Sequence, residues 1–164
     1  MDRRRFMKRG GATAVGAAVA ARAGGREAAS AQAGRPSGRS NRRKVQTDRA
    51  PKPVGPYSQA IVAGNTIYVA GQVAINPRTG QPVTGSFEQQ AVQVFENVKA
   101  ILEAAGATLA DVVRVNVYLA NLSDFGTLNE IYRRYFSEDF PARTTVGAQL
   151  LSAYSIEVDC IAVV

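Results

Sequence analysis

The sequence predicts an α+β domain with two helices packed on one face of a mixed, mainly antiparallel sheet. Three observations predict it. Short runs rich in β-branched residues are separated by tight-turn residues, as in Gln59 to Ala63, Gly64-Asn65, and Thr66 to Ala70. Two longer stretches carry apolar residues at helical spacing. The chain then closes with two strand-like runs, Arg143 to Ala148 and Ser155 to Val164. Runs of strand and helix in the order ββ(β)αβαββ are the pattern of such a layered arrangement.

The domain is expected over residues 50–164. Pro51, Pro53 and Pro56 keep the entry extended, and Gly55-Pro56-Tyr57-Ser58 reads as a turn presenting a tyrosine. A third short strand, Gln72 to Ile75, follows the hairpin and ends in the turn Asn76-Pro77-Arg78-Thr79-Gly80, giving a meander. Ser86 to Ala105 is the clearest helix. Ser86 and Gln89 form a capping box, and Gly106 sits where a left-handed C-cap is expected. Ala91, Val94, Phe95, Val98, Ile101, Leu102 and Ala105 make its apolar stripe, with Gln90, Glu96, Lys99 and Glu103 off it.

Val112, Val113, Val115, Val117 and Leu119 mark the next strand, with Arg114, Asn116 and Tyr118 on its opposite face. Ser123 is expected to cap a second helix whose buried face is Phe125, Leu128, Ile131, Tyr132, Tyr135 and Phe136. Asn129 lies off that stripe. Helices on one side leave the other sheet face, including Tyr118, wet in a monomer, which predicts a closed homo-oligomer with the sheets facing inward.

Composition narrows the chemistry. The formal charge of +7 is unevenly spread: residues 1–49 hold thirteen Lys/Arg and three Asp/Glu, whereas residues 50–164 hold seven and ten. The body is therefore mildly acidic and lacks a nucleic-acid footprint. The chain has no histidine, which removes Ser-His-Asp and Cys-His catalysis and histidine metal sites. The single Cys160 lies in an apolar run and reads as a buried structural thiol. Proton transfer is left to Glu, Asp, Tyr, Lys, the single Cys or water.

Residues 1–33 read as an export signal. Arg3-Arg4-Arg5-Phe6-Met7-Lys8 matches the twin-arginine pattern, and a weakly apolar stretch, Gly10 to Ala21, is too short for stable membrane insertion. Ala31-Gln32-Ala33 offers a cleavage site, and residues 34–49 are expected to be a flexible linker. The expected location is outside the cytoplasm.

Phe140-Pro141-Ala142-Arg143-Thr144-Thr145-Val146 draws attention as a site. Pro141 fixes the approach, and the β-branched run after Arg143 is stiff, so the guanidinium is held on a rigid element. Its planar fork matches a carboxylate, pointing to an anchor for a small acidic ligand, whereas an isolated strand arginine is more often solvated.

Six stretches together resemble the reactive-intermediate deaminase (RidA/YjgF-like) family. They are Gly55-Pro56-Tyr57-Ser58-Gln59-Ala60, Ala70-Gly71-Gln72, Asn97 to Gly106, Asn129-Glu130-Ile131-Tyr132, Phe140-Pro141-Ala142-Arg143 and Ile156-Glu157-Val158-Asp159. The resemblance implies a chorismate-mutase-like fold, a homotrimer with sites in the clefts between subunits, and hydrolysis of 2-imino acids to 2-keto acids and ammonia without metal or organic cofactor. It also implies that Arg143 holds the substrate carboxylate and Glu157 handles the water. Tyr57 and Asn129 would line the cleft, with backbone around Gly71 and Thr145 contributing hydrogen bonds. The chain departs from the family pattern at Ala70 (often Ser), at Thr145 (often Cys), and in the loop Gln149 to Tyr154, which lacks a common proline. The competing expectation is an exported trimer that binds small carboxylates through Arg143, or protects proteins, with little or no turnover.

Overall fold

The computed structural model describes residues 41–164. The export signal expected over residues 1–33, and the part of the expected linker up to residue 40, lie outside the described residues. Six strands form one sheet: β1 (Arg42–Val45), β2 (Ala60–Ala63), β3 (Thr66–Val73), β4 (Val112–Leu119), β5 (Ala142–Gly147) and β6 (Ile156–Val163). Their order is β1-β2-β3-β6-β4-β5. Only β4 and β5 run parallel, joined through helix α2 (Phe125–Tyr135); all other neighbours are antiparallel. Helix α1 (Phe87–Ala105) packs across β3 and β6, and α2 packs beside it. This is the expected two-helix layer on a mixed sheet.

Helix α1 begins and ends where its sequence signals stand. The Ser86 side chain accepts from the Gln89 N–H, the Gln89 side chain accepts from the Ser86 N–H at 2.9 Å, and Gly106 adopts φ 94°. Its last turn contains no basic residue of its own. Arg43 of β1 supplies one instead, donating from Nη2 to the Ala105 carbonyl at 3.1 Å, and Arg49 pairs with Glu103. Cations at this end complement the helix dipole. Residues 42–45, expected within a linker, are thus an edge strand. Arg42, Arg43 and Lys44 stay exposed, and Val45 alone reaches the core.

Three other local expectations shift. The run Gln72 to Ile75 is not a separate strand, because β3 continues through Val73 with a register shift between Val69 and Gln72. Ser123 does not cap α2: a 3-10 turn at Leu122–Asp124 precedes it, and the Asn121 side chain accepts from the Ser123 N–H at 3.0 Å. Val113 is 49% exposed, displaced from the buried face by the irregularity between Val112 and Arg114.

The core fills the space between helices and sheet. Val94, Phe95, Val98, Ile101 and Leu102 of α1 meet Ile67, Val115, Val117, Ile156 and Val158, all essentially inaccessible. Phe95 also stacks on Tyr135 at 4.9 Å and meets Tyr132 edge-on at 5.8 Å, fastening α2 to α1. Asn97 and Gln90 are buried polar exceptions on α1. Asn97 donates to the Val73 and Ile75 carbonyls, and Gln90 accepts from the Ser155 N–H at 2.9 Å. Cys160 is buried, and burial pushes its thiol up to about 12, so it is held as an inert core group.

The far face of the sheet is mixed rather than simply apolar. Tyr68 stands opposite Ile161 there, but Asp159 accepts from Asn116 at 2.8 Å and from the Tyr118 hydroxyl at 3.2 Å. Arg114 extends this network to Thr144 at 2.9 Å.

Candidate active site

Residues paired across the sheet share a face, so the register decides which side chains can meet. Arg143 pairs with Val115 and Thr145 with Val117, and both valines are buried under the helices. Arg143 therefore reaches toward α2. There the Asn129 side-chain oxygen accepts from Arg143 Nη2 at 2.7 Å. The guanidinium lies over the Tyr132 ring at 4.5 Å, with the Phe125 ring at 5.7 Å. A planar cation held between a rigid strand and aromatic faces keeps its orientation without using all its donors. A cavity of about 260 Å³ opens beside it, lined by Asn129, Tyr132, Arg133, Phe140, Pro141 and Arg143. Burial pushes the Tyr132 hydroxyl up to about 12. That hydroxyl and Thr145 Oγ1 are buried with no hydrogen-bond partner among the described residues.

Glu157 belongs to the opposite face. It pairs with Tyr118 and Val73, while its neighbours Ile156 and Val158 point into the core. Gly71, in the bulge of β3, leaves the space that the Glu157 carboxylate occupies: a Cβ on Gly71 would sit 3.0 Å from Glu157 Cδ and collide with Oε1. Burial raises the Glu157 pKa above its ordinary value, and the nearby Asp159 carboxylate raises it further. A half-buried carboxyl shifted upward in this way has the character of a general base or water-orienting group.

The six residues singled out by sequence thus fall into separate groups. Arg143, Asn129 and Thr145 cluster on the helix side at the β5 edge. Glu157 and Gly71 cluster on the far side. Tyr57 joins neither: it is 47% exposed in its turn, and its hydroxyl accepts from the Val54 N–H at 3.3 Å. Sequence reasoning missed two contributors. Tyr132 was assigned only to the core, and Arg133 was not singled out, although it lies one helical turn beyond Asn129 on the same face. Among the described residues, no three His, Cys, Asp or Glu side chains converge as metal ligands.

A family model described as endoribonuclease L-PSP matches residues 47–164. The chain belongs to this family. It is the RidA/YjgF-like group that the six motifs resemble. A RutC family protein of Pyrococcus horikoshii is 52% identical over 119 residues, 72% of this chain and 94% of that one. A protein of Dermatophagoides farinae named 2-iminobutanoate/2-iminopropanoate deaminase is 44% identical over 126 residues, 76% of this chain and 98% of that one. The crystal structure of RidA from Psychrobacter superposes with a TM-score of 0.71 at 46% identity, covering 74% of this chain and 99% of that chain. The Psychrobacter protein therefore shares this chain's fold over nearly the whole of its own length.

Proposed function

We propose that this RidA-family chain is an imine deaminase that hydrolyses small 2-imino acids at a site shared between adjacent copies of a homotrimer. One observation carries the reading: Arg143 and Glu157 stand on opposite faces of one sheet, so neither half can act on the other's ligand within one chain. A rotationally closed assembly brings the far face of one copy against the β5 edge of the next. The name of the Dermatophagoides relative supports the substrate class.

In this reading the Arg143 fork takes the substrate carboxylate, oriented by Asn129 and by the Tyr132 ring, and so fixes the adjacent C=N carbon. Glu157 of the neighbouring copy takes a proton from water as the oxygen attacks that carbon. The imine nitrogen gains protons, the C–N bond breaks, and a 2-keto acid and ammonia leave. Net, one water is added across the C=N bond and one ammonia departs, with no change of oxidation state.

Mixed assembly tests both claims at once. Imines are generated in situ from alanine by an amino-acid oxidase, and 2-keto acid release is followed. Arg143→Ala and Glu157→Gln are each expected to be inactive. Unfolded and refolded together in equal amounts, they should regain about a quarter of wild-type activity, because random mixing restores that share of Arg143–Glu157 interfaces. No recovery, with trimers formed, would sink the shared site.

A second reading, a small-carboxylate binding trimer with little turnover, is favoured by the Arg143–Asn129 clamp being complete without Glu157. Carboxylate binding by a wild type that accelerates no imine hydrolysis selects it. Cleavage of RNA fits poorly, since residues 50–164 carry more acidic than basic groups. We also propose export, on the strength of Arg3-Arg4-Arg5-Phe6-Met7-Lys8 and Ala31-Gln32-Ala33. Cell fractionation with N-terminal sequencing tests it, and an intact N-terminus on cytoplasmic protein refutes it.

A further inference from the structure

The Arg143 cavity contains a second cation that the reaction described above does not use. Arg133 lines it together with Arg143, and the other lining residues, Asn129, Tyr132, Phe140 and Pro141, include no acid. The next residue shows how α2 ordinarily disposes of an arginine: Arg134 turns to α1 and pairs with Glu88 at 2.8 Å. Arg133 has no carboxylate partner among the described residues. It folds back along its own helix instead, donating from Nη1 to the Asn129 carbonyl at 3.3 Å. That bond holds the guanidinium at the cavity wall, one turn from the residue that orients Arg143.

We propose that Arg133 is a specificity-determining group for a substrate carrying a second carboxylate, that is, a 2-imino dicarboxylic acid. The inference rests on the deaminase reading of the Arg143 site. Arg143 is partly buried and takes the carboxylate next to the C=N carbon. Arg133 stands at the exposed rim and meets the distal carboxylate of the side chain. Two like charges beside one small cavity repel each other. A monoanion offsets one of them, whereas a dianion offsets both. The volume, about 260 Å³, is below the roughly 300–1,000 Å³ of pockets for drug-sized ligands and suits a short-chain acid.

The test compares 2-iminoglutarate, formed in situ by a glutamate oxidase, with 2-iminopropanoate. Wild type is expected to show the higher kcat/KM on the dicarboxylic substrate. Arg133→Gln should lower the ratio of the two kcat/KM values about tenfold, the order expected for one rim charge, and Arg133→Lys should restore part of it. Raising salt should erode the ratio in wild type more than in Arg133→Gln. An unchanged ratio in a folded Arg133→Gln overturns the proposal while leaving the deaminase reading standing. If no imine is turned over, the deaminase reading fails, and calorimetry with 2-oxoglutarate against 2-oxobutanoate decides the subsite. Preference for the dianion that disappears in Arg133→Gln supports it, and equal affinities overturn it.

Discussion

Arg143 differs from an ordinary strand arginine in what holds it: Asn129 at 2.7 Å and the Tyr132 ring at 4.5 Å leave its fork one preferred orientation. Arg143→Lys keeps the charge but loses the planar fork and the stacking. It should reduce kcat/KM on imines roughly tenfold or more, mainly by raising KM. At Glu157 the expected signature is a pH profile. Burial first, and the Asp159 charge second, raise its pKa, so the acid limb of kcat/KM should lie above the ordinary value for a glutamate. Asp159→Asn removes the second cause and should move that limb to lower pH. The same shift has a stability sign. A carboxyl whose pKa is raised by folding favours the folded state when protonated, and that contribution is lost as pH rises through the folded value. Glu157→Gln should therefore melt higher than wild type at pH 7, with the difference closing at a pH below the unfolded carboxyl's range. Gly71→Ala meets the far end of the flexible Glu157 side chain rather than backbone. It should leave the melting temperature little changed while lowering kcat, because the carboxylate has to swing aside. Arg133 could not be distinguished from Arg134 by sequence, since both are arginines on the same exposed helix end; the Glu88 partner that separates them is 46 residues from Arg134 in the chain.

Elements were legible in proportion to how much of their information is local. Helix α1 carries its own stripe, capping box and C-cap, and each stands where it was expected. Ser86→Ala and Gly106→Ala should each cost about 1 kcal/mol in urea unfolding, the first through a lost cap and the second through a φ of 94° that alanine resists. Asn97→Ala should cost about 1–3 kcal/mol, because it strips two carbonyls at the end of β3 of their donor. Strand β1 was illegible for the opposite reason. Arg42-Arg43-Lys44-Val45 has one apolar residue, and its strand character comes from pairing with β2 and from the α1 C-terminus, neither of which is nearby in sequence. The bulge in β3 was hidden similarly: Gly71 reads as a break, yet the chain continues because β6 pairs on both sides of it.

At the scale of the whole molecule, the sheet holds Arg143 and Glu157 on opposite faces, and the proposed deaminase site joins them only between copies. Light scattering on the purified protein should give a trimer, and a charge placed at Tyr68, on the exposed far face, should shift it toward monomer and lower activity together. The two-helix layer and the wet far face that predicts an oligomer could be read from periodicity, but the division of Arg143 and Glu157 between the two faces could not, because that is a property of register. The proposed shared site also has a consequence for gene dosage. A copy altered at Arg143 alone spoils one interface of the ring it joins, whereas a copy altered at both Arg143 and Glu157 spoils two. In a cell making normal and altered chains together, activity should fall in proportion to the normal fraction in the first case and as its square in the second, so equal expression should leave about a half and about a quarter of normal activity.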